Sequence, residues 1–294
     1  MANPRCRRAE LMVRLFGYEA HARASGHAAV MFTVTCPSRM HARLAGTGEA
    51  NPKYDGTSPA AAQDYLCHLW ECARAAVHRA GIRVYGMRIA EPQHDATPHW
   101  HILLFILPDQ LDQVSAILRR YALASDPDEP GTASHRVCEV RIDYTRGTAT
   151  GYLAKYVSKY VDGEHLEKMD SGAMRRAERT RAWAAVWGIR QFQQIGNPIV
   201  PIYGELRRGV DSTGGVVQAA ADAANRGDWH KYTDLMGGPL VPRREMPIQL
   251  LKSSEGRLGR YGEPVDPLVI GVTSQGADFM TRHQTWTIAP CSAR

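Results

Sequence analysis

Three consecutive stretches decide the fold: IRVYGMRIAE (82–91), PQHDATP (92–98) and HWHILLFIL (99–107). The outer two are rich in β-branched and large apolar residues, as strands require. The middle one collects Pro, Asp and His, as turns do. Together they predict a hairpin. Its second strand is apolar on both faces, which places it in the interior of a sheet.

Working outward, VMFTVT (30–35) and VCEVRID (137–143) read as two more strands. Residues 37–58 are polar and rich in Gly, Pro, Asn and Asp, hence a long loop. Thr57 and Ser58 then offer an N-cap and Pro59 a first helical position. A helix over about 59–80 follows, with Leu66, Leu69, Trp70, Ala73 and Val77 as its apolar stripe and Gly81 as its stop. Further helices are expected near 109–121 and 148–161. The order strand, helix, strand, strand, helix, strand is the split βαβ, ferredoxin-like arrangement of an α+β domain. It predicts a mainly antiparallel sheet with helices on one face. Three regions are expected: a helical lead-in over 1–28, with Leu11, Met12, Leu15 and Phe16 on one side; the sheet domain over 29–165; and an appendage over 166–294. In the appendage, 172–188 and 215–226 read as helices, and the chain is rich in Pro and Gly from about 237.

The 294 residues are 44% apolar and carry a net charge of +6, which suits a nucleic-acid partner without requiring one. No run of about 18 apolar residues suggests a membrane span, and the N-terminus lacks the apolar core of a signal peptide. The six cysteines form no CxxC pair and read as reduced thiols, which points to the cytoplasm.

Two groups of residues carry chemistry. His99 and His101 flank Trp100, and side chains alternate along a strand, so both imidazoles point the same way, about 7 Å apart. Glu91 ends the preceding strand and the hairpin brings it alongside. Two His and one carboxylate can chelate a divalent ion and leave positions for water and a phosphate oxygen. The competing reading is two half-buried histidines hydrogen-bonded to neighbours. His94, in the turn, is an alternative ligand or a solvated side chain. The second group is TGYLAKYVSKYVDG (150–163). Tyr152, Tyr156 and Tyr160 lie four apart and share a helix face, and Lys155 and Lys159 adjoin it. A phenol with a pKa near ~10 needs a cation to act as a nucleophile on phosphorus. Tyrosines so spaced also pack cores.

Taken together these residues look familiar. His99-Trp100-His101 is similar to the His-hydrophobic-His motif of the HUH endonuclease superfamily. Tyr152-Leu-Ala-Lys-Tyr156-Val-Ser-Lys159 resembles the two-tyrosine motif of its replication initiators. FTVTCPSR (32–39), NPKYDG (51–56), GIRVYG (81–86), EPQHDATPHWHILLF (91–105), GYLAKYVSKY (151–160) and WGIRQFQQIG (187–196) look like blocks of the bacteriophage replication gene A protein family, and the resemblance runs from about residue 4 to 273.

The resemblance implies an HUH endonuclease fold and rolling-circle DNA replication. A tyrosine would nick single-stranded origin DNA, forming a 5′-phosphotyrosine and freeing a 3′-hydroxyl. It implies Tyr152 and Tyr156 as alternating nucleophiles, Lys155 and Lys159 as charge stabilisers, and Glu91, His99 and His101 as ligands of Mg²⁺ or Mn²⁺. Host helicase and polymerase are implied partners. Family members are usually longer, so a truncated or minimal form is expected, and Tyr160 extends the tyrosine series and is expected to pack. Rival readings are an HUH transposase or relaxase, a defective prophage remnant, and a non-catalytic nucleic-acid-binding module whose sheet exposes aromatics.

Arg39, Lys53, Arg83 and Arg88 read as solvated charges or phosphate contacts, and Trp183 and Trp187 as core or base-stacking residues. Gln191, Gln193 and Gln194 are candidate base readers. Cys36 has no base beside it in sequence and is not expected to be a nucleophile.

Overall fold

The computed structural model describes residues 3–161, 172–210, 214–253, 257–258 and 261–282. The chain divides into two compact units, 1–196 and 197–294.

In the first unit the elements run α1 (Pro4–Ala24), β1 (Ala28–Val34), α2 (Pro59–Arg79), β2 (Tyr85–Pro92), β3 (Pro98–Ile106), α3 (Leu111–Ala122), the single turn α4 (Thr132–His135), β4 (Val137–Arg141), α5 (Ala149–Val161), α6 (Ala173–Val186) and β5 (Phe192–Ile195). The strands form one sheet in the order β4-β1-β3-β2-β5, every pair antiparallel. The expected hairpin is β2–β3, its turn being Gln93–Thr97, closed by Gln93 N–H donating to Thr97 O at 2.9 Å. Ser58 caps α2 by accepting from the Ala61 N–H, ahead of Pro59.

Register matters most within the hairpin. Glu91 pairs with His99 and Ile89 with His101, so Glu91 and both histidines share one face of the sheet. β3 is central, as its composition demands. Phe32, Val34, Trp100, Ile102 and Leu104 form a core with Leu66 and Leu69 of α2 and Leu111, Val114 and Leu118 of α3. The opposite face carries Met31, Tyr85, Met87, Leu103 and Phe105, all buried. Each such side chain is stabilised by roughly 1.5–3 kcal/mol on leaving water, so this face also needs cover. Tyr18 of α1 meets Tyr85 edge-on, ring centroids 5.3 Å apart, and α5 packs along α1. Helices therefore cover both faces, where helices on one were expected: a central strand apolar on both sides forces the second layer. Gly86 permits close strand packing, since a Cβ there would lie 1.9 Å from Leu103 O.

Two local expectations change. Leu11, Leu15, Tyr18 and Ala22 are the buried stripe of α1, and Phe16 is exposed. The first unit also takes in α6 and β5, past residue 165 where the sequence reading ended the sheet domain. β5 was not foreseen: FQQI alternates weakly, and its place at the sheet edge comes from pairing with β2.

The second unit contains α7 (Val200–Leu206), α8 (Gly215–Arg226), α9 (Trp229–Leu235), β6 (Gln249–Lys252), β7 (Arg257–Leu258), β8 (Pro264–Val265), β9 (Val269–Ser274) and β10 (Ala277–Met280). β10, β9 and β6 form an antiparallel sheet, and Tyr203, Trp229 and Tyr232 pack ring against ring. No described helix is long and apolar enough to cross a membrane.

Candidate metal and tyrosine site

Hairpin register brings three ligand groups together. His101 Nε2 lies 2.8 Å from Glu91 Oε2, His99 Nε2 lies 3.4 Å from the same oxygen, and the two Nε2 atoms are 3.0 Å apart. Adjacent ligands of an octahedral ion with bonds of about 2.1 Å stand about 3 Å apart, so the spacing fits one ion. Glu91 and His101 are buried and His99 nearly so. His101 is oriented from behind, its Nδ1 lying 3.1 Å from Thr33 Oγ1 on β1, the kind of outer contact that fixes a ligating imidazole. His99 Nδ1 is buried with no hydrogen-bond partner among the described residues.

Charge follows from these contacts. Burial alone would raise the Glu91 pKa, but hydrogen bonds and charge from His101 and His99 outweigh it and hold the carboxylate far below its usual range. Burial lowers the pKa of His101, against the pull of Glu91, which favours the neutral imidazole that a metal needs.

The tyrosine helix reaches this cluster. The Tyr156 ring stacks on His101, centroids 4.0 Å apart and planes 26° apart. Lys155 Nζ sits 4.8 Å from the Tyr156 ring centre and Lys159 Nζ 3.3 Å from Glu91 Oε1. These six residues line an open cleft of about 400 Å³. Burial, then the Glu91 charge, pushes the Tyr156 phenol upward. Tyr152, one turn earlier, is 38% exposed and does not line the cleft. The Tyr160 side chain lies outside what is described.

Two supporting residues escaped the sequence. Thr33 becomes visible only once β1 is known to pair with β3. Glu19, buried on α1, accepts from the Ala149 N–H (3.0 Å) and the Thr150 N–H (2.8 Å) at the start of α5. A carboxylate there satisfies orphan helix donors and the helix dipole; with the partners 130 positions apart or more, no local signal announces it.

The other candidates divide. Arg88 is buried, not solvated: its guanidinium lies 3.9 Å from the Trp100 ring centre, and Nη2 donates to Arg190 O. Arg39 pairs with Asp55 and Asp126, and Lys53 with Glu129. Arg83 is exposed. Trp183 is buried and donates to Ala96 O, whereas Trp187 is 37% exposed. Gln191 is buried, and Gln193 and Gln194 are half-buried on β5. His94 Nε2 lies 3.3 Å from Arg43 O, away from the cluster. Burial pushes the Cys36 thiol up to about 12, so it stays protonated and is no nucleophile.

The family model for the bacteriophage replication gene A protein matches residues 1–164, which hold every residue of this cleft. The chain belongs to the bacteriophage replication gene A protein family. Among relatives of this gene A family chain, the replication gene A protein of Escherichia phage 186 is 39% identical over 99% of the chain and 44% of its own length. The probable replication protein P12 of Pseudoalteromonas phage PM2 is 37% identical over 96% and 45%. A probable replication endonuclease from a prophage-like region of Salmonella typhimurium is 36% identical over 89% and 35%. The chain thus spans less than half the length of these relatives. No solved structure matches it.

Proposed function

We propose that this chain is a rolling-circle replication endonuclease of the HUH type, which nicks single-stranded origin DNA with a tyrosine. The observation that carries the reading is Tyr156 stacked on His101, within one cleft shared with Glu91, His99, Lys155 and Lys159. The path β1, α2, β2, β3, α3, β4 with strand order β4-β1-β3-β2 supports the split βαβ form.

Glu91, His99 and His101 would hold Mg²⁺ or Mn²⁺, which when bound supplies Lewis-acid polarisation of the scissile phosphate. The chain's own residues do the rest. Burial keeps the Tyr156 phenol protonated at rest, so its proton must leave as Oη closes on phosphorus. The bond from phosphorus to the 3′ oxygen breaks, that oxygen takes up a proton, and the phosphate of the 5′ side stays on tyrosine. One phosphodiester replaces another, so bond energy is conserved for rejoining. Lys155 and Lys159 offset charge on the crowded phosphate, and Lys159 also steadies Glu91. Tyr152, exposed one turn away, would make the second transfer on a partner strand. A host polymerase would then extend the freed 3′ end behind a host helicase.

The relatives' replication names favour initiation over transposition or conjugation. The binding-module reading calls for exposed aromatics on the sheet, and Phe32, Tyr85, Trp100 and Phe105 are buried. The test is incubation with labelled single-stranded phage DNA in Mn²⁺ or EDTA, followed by a denaturing gel. A Mn²⁺-dependent covalent adduct is expected; well-folded protein that yields none on any origin-spanning strand refutes the proposal.

A further inference from the structure

A second cavity stands at the same end of the sheet, and the mechanism above does not use it. Its volume is about 500 Å³, in the range of small-ligand pockets. Three of the sequence blocks singled out above meet there. Thr35, Cys36 and Ser38 come from FTVTCPSR and what continues it, Asn51 and Lys53 from NPKYDG, and Gln93 and His94 from the hairpin turn.

The walls continue from the strands that carry the cluster. Thr33 touches His101, and Thr35 lies two residues on, its N–H bonded to Arg136 O at 3.0 Å. Glu91 is a cluster residue, and Gln93 lies two residues beyond it. Two residues of extended chain span about 7 Å, so the cavity is within reach of a nucleotide next to a phosphate held at the cluster.

The cavity is built, not incidental. Asn51 is buried, and its Nδ2 donates to Ser38 O and His41 O, both at 2.8 Å, while Oδ1 accepts from the Lys53 N–H. These bonds tie together parts of the 37–58 loop that line the cavity. His41 is held by its Nδ1, 3.1 Å from Oδ2 of Asp95, whose side chain is 1% exposed. Its Nε2 has no partner among the described residues, so it is free to pair with a ligand, as acceptor when the ring is neutral and donor when protonated. Arg43, Lys53 and Arg136 line the cavity against one carboxylate, Glu129. Planar hydrogen-bonding groups with excess positive charge suit a nucleotide: a base edge for His41 and a phosphate for the rim.

We infer that this cavity binds one unstacked nucleotide of the substrate strand, flanking the bond that is cut, and that His41 reads its base. The inference rests on the proposed endonuclease activity for its place in the reaction, but binding can be measured apart from cleavage.

The closing experiment has two arms on the full chain. In the first, histidine ring signals are followed by NMR while each of the four 5′-deoxymononucleotides is added, with inorganic phosphate as control and His41→Gln to assign the signal. One or two nucleotides should move the His41 signal more than phosphate does. In the second, wild type, His41→Gln and Arg43→Gln are given a random-sequence single-stranded DNA pool in Mn²⁺, and covalently retained strands are sequenced. Wild type should show a base preference within a few nucleotides of the cut, and His41→Gln should weaken it about tenfold, the scale of one lost hydrogen bond. Arg43→Gln, at the rim, leaves the His41–Asp95 pair intact and should lower yield while keeping the preference. A silent His41 signal with unchanged preferences overturns the inference and leaves the endonuclease standing. A shifted signal with no adduct from any strand does the reverse. A signal moved equally by phosphate also overturns it, because the cavity would then read no base.

Discussion

The Tyr156 ring stacks on His101 at 4.0 Å, which ties the proposed nucleophile to a proposed metal ligand through direct contact. Tyr156→Phe keeps the stack and removes only the phenol. It should leave the thermal midpoint near wild type and lower adduct formation by about two orders of magnitude or more. Tyr152→Phe should lower it less on a first cut, since that side chain stands outside the cleft. The double variant should form none. Equal adduct yields from Tyr156→Phe and wild type on a denaturing gel would exclude Tyr156 as the cutting residue.

Metal affinity should depend on a residue that touches no metal. Thr33→Val suits a strand and preserves shape, but it leaves His101 Nδ1 without its partner. Loss of such an outer contact typically weakens metal binding about 10–100-fold. Titration calorimetry with Mn²⁺ should show a loss of that size for Thr33→Val and no measurable binding for His99→Ala or His101→Ala. Unchanged affinity in Thr33→Val would mean that the histidine is oriented by the cluster alone.

Glu19 should matter to both stability and rate. Glu19→Ala strips two buried N–H groups at the start of α5 of their acceptor, at a cost on the order of 2–3 kcal/mol. Urea midpoints should fall accordingly, and adduct formation should slow because the helix that carries Tyr156 loses its anchor on α1. Glu19→Gln, which keeps one acceptor oxygen, should recover part of both. A variant with full rate and lowered stability would confine Glu19 to a folding role.

Acid sensitivity should include a contribution from Asp95. Burial pushes its carboxyl upward, but the Thr97 N–H and His41 outweigh that and hold it below its ordinary range. A carboxyl depressed in the folded state adds stability above its unfolded pKa of about 3.9, and this is lost as pH falls through the folded value. Asp95→Asn should therefore lower stability at neutral pH and show a shallower decline from there to about pH 3. Urea denaturation across that range tests it, and parallel curves for the two proteins would show that Asp95 is not linked to folding.

What the sequence determined by itself is what local periodicity can carry. Strand alternation placed His99 and His101 on one face, the hairpin put Glu91 beside that pair, and the four-residue spacing put Tyr152 and Tyr156 on one side of a helix. Each follows from geometry within a few turns or one tight connection, so no distant partner had to be known. The resemblance added the family, because its motifs stand in order along the chain.

The tertiary structure decided which tyrosine meets the Glu91–His99–His101 cluster. Helix spacing makes Tyr152 and Tyr156 equivalent, and only the packing of α5 against α1 sets Tyr156 on His101 and leaves Tyr152 in solvent. The same holds for Glu19 at the start of α5, for Thr33 behind His101, for β5 at the sheet edge and for the helices on the second face. Arg88 shows the limit most plainly: charge predicts exposure, yet the residue is buried on the Trp100 ring. Arg88 and Trp100 share one hairpin, but the other partners are far apart in sequence, and closing the chain around a two-sided apolar strand is what brings them together.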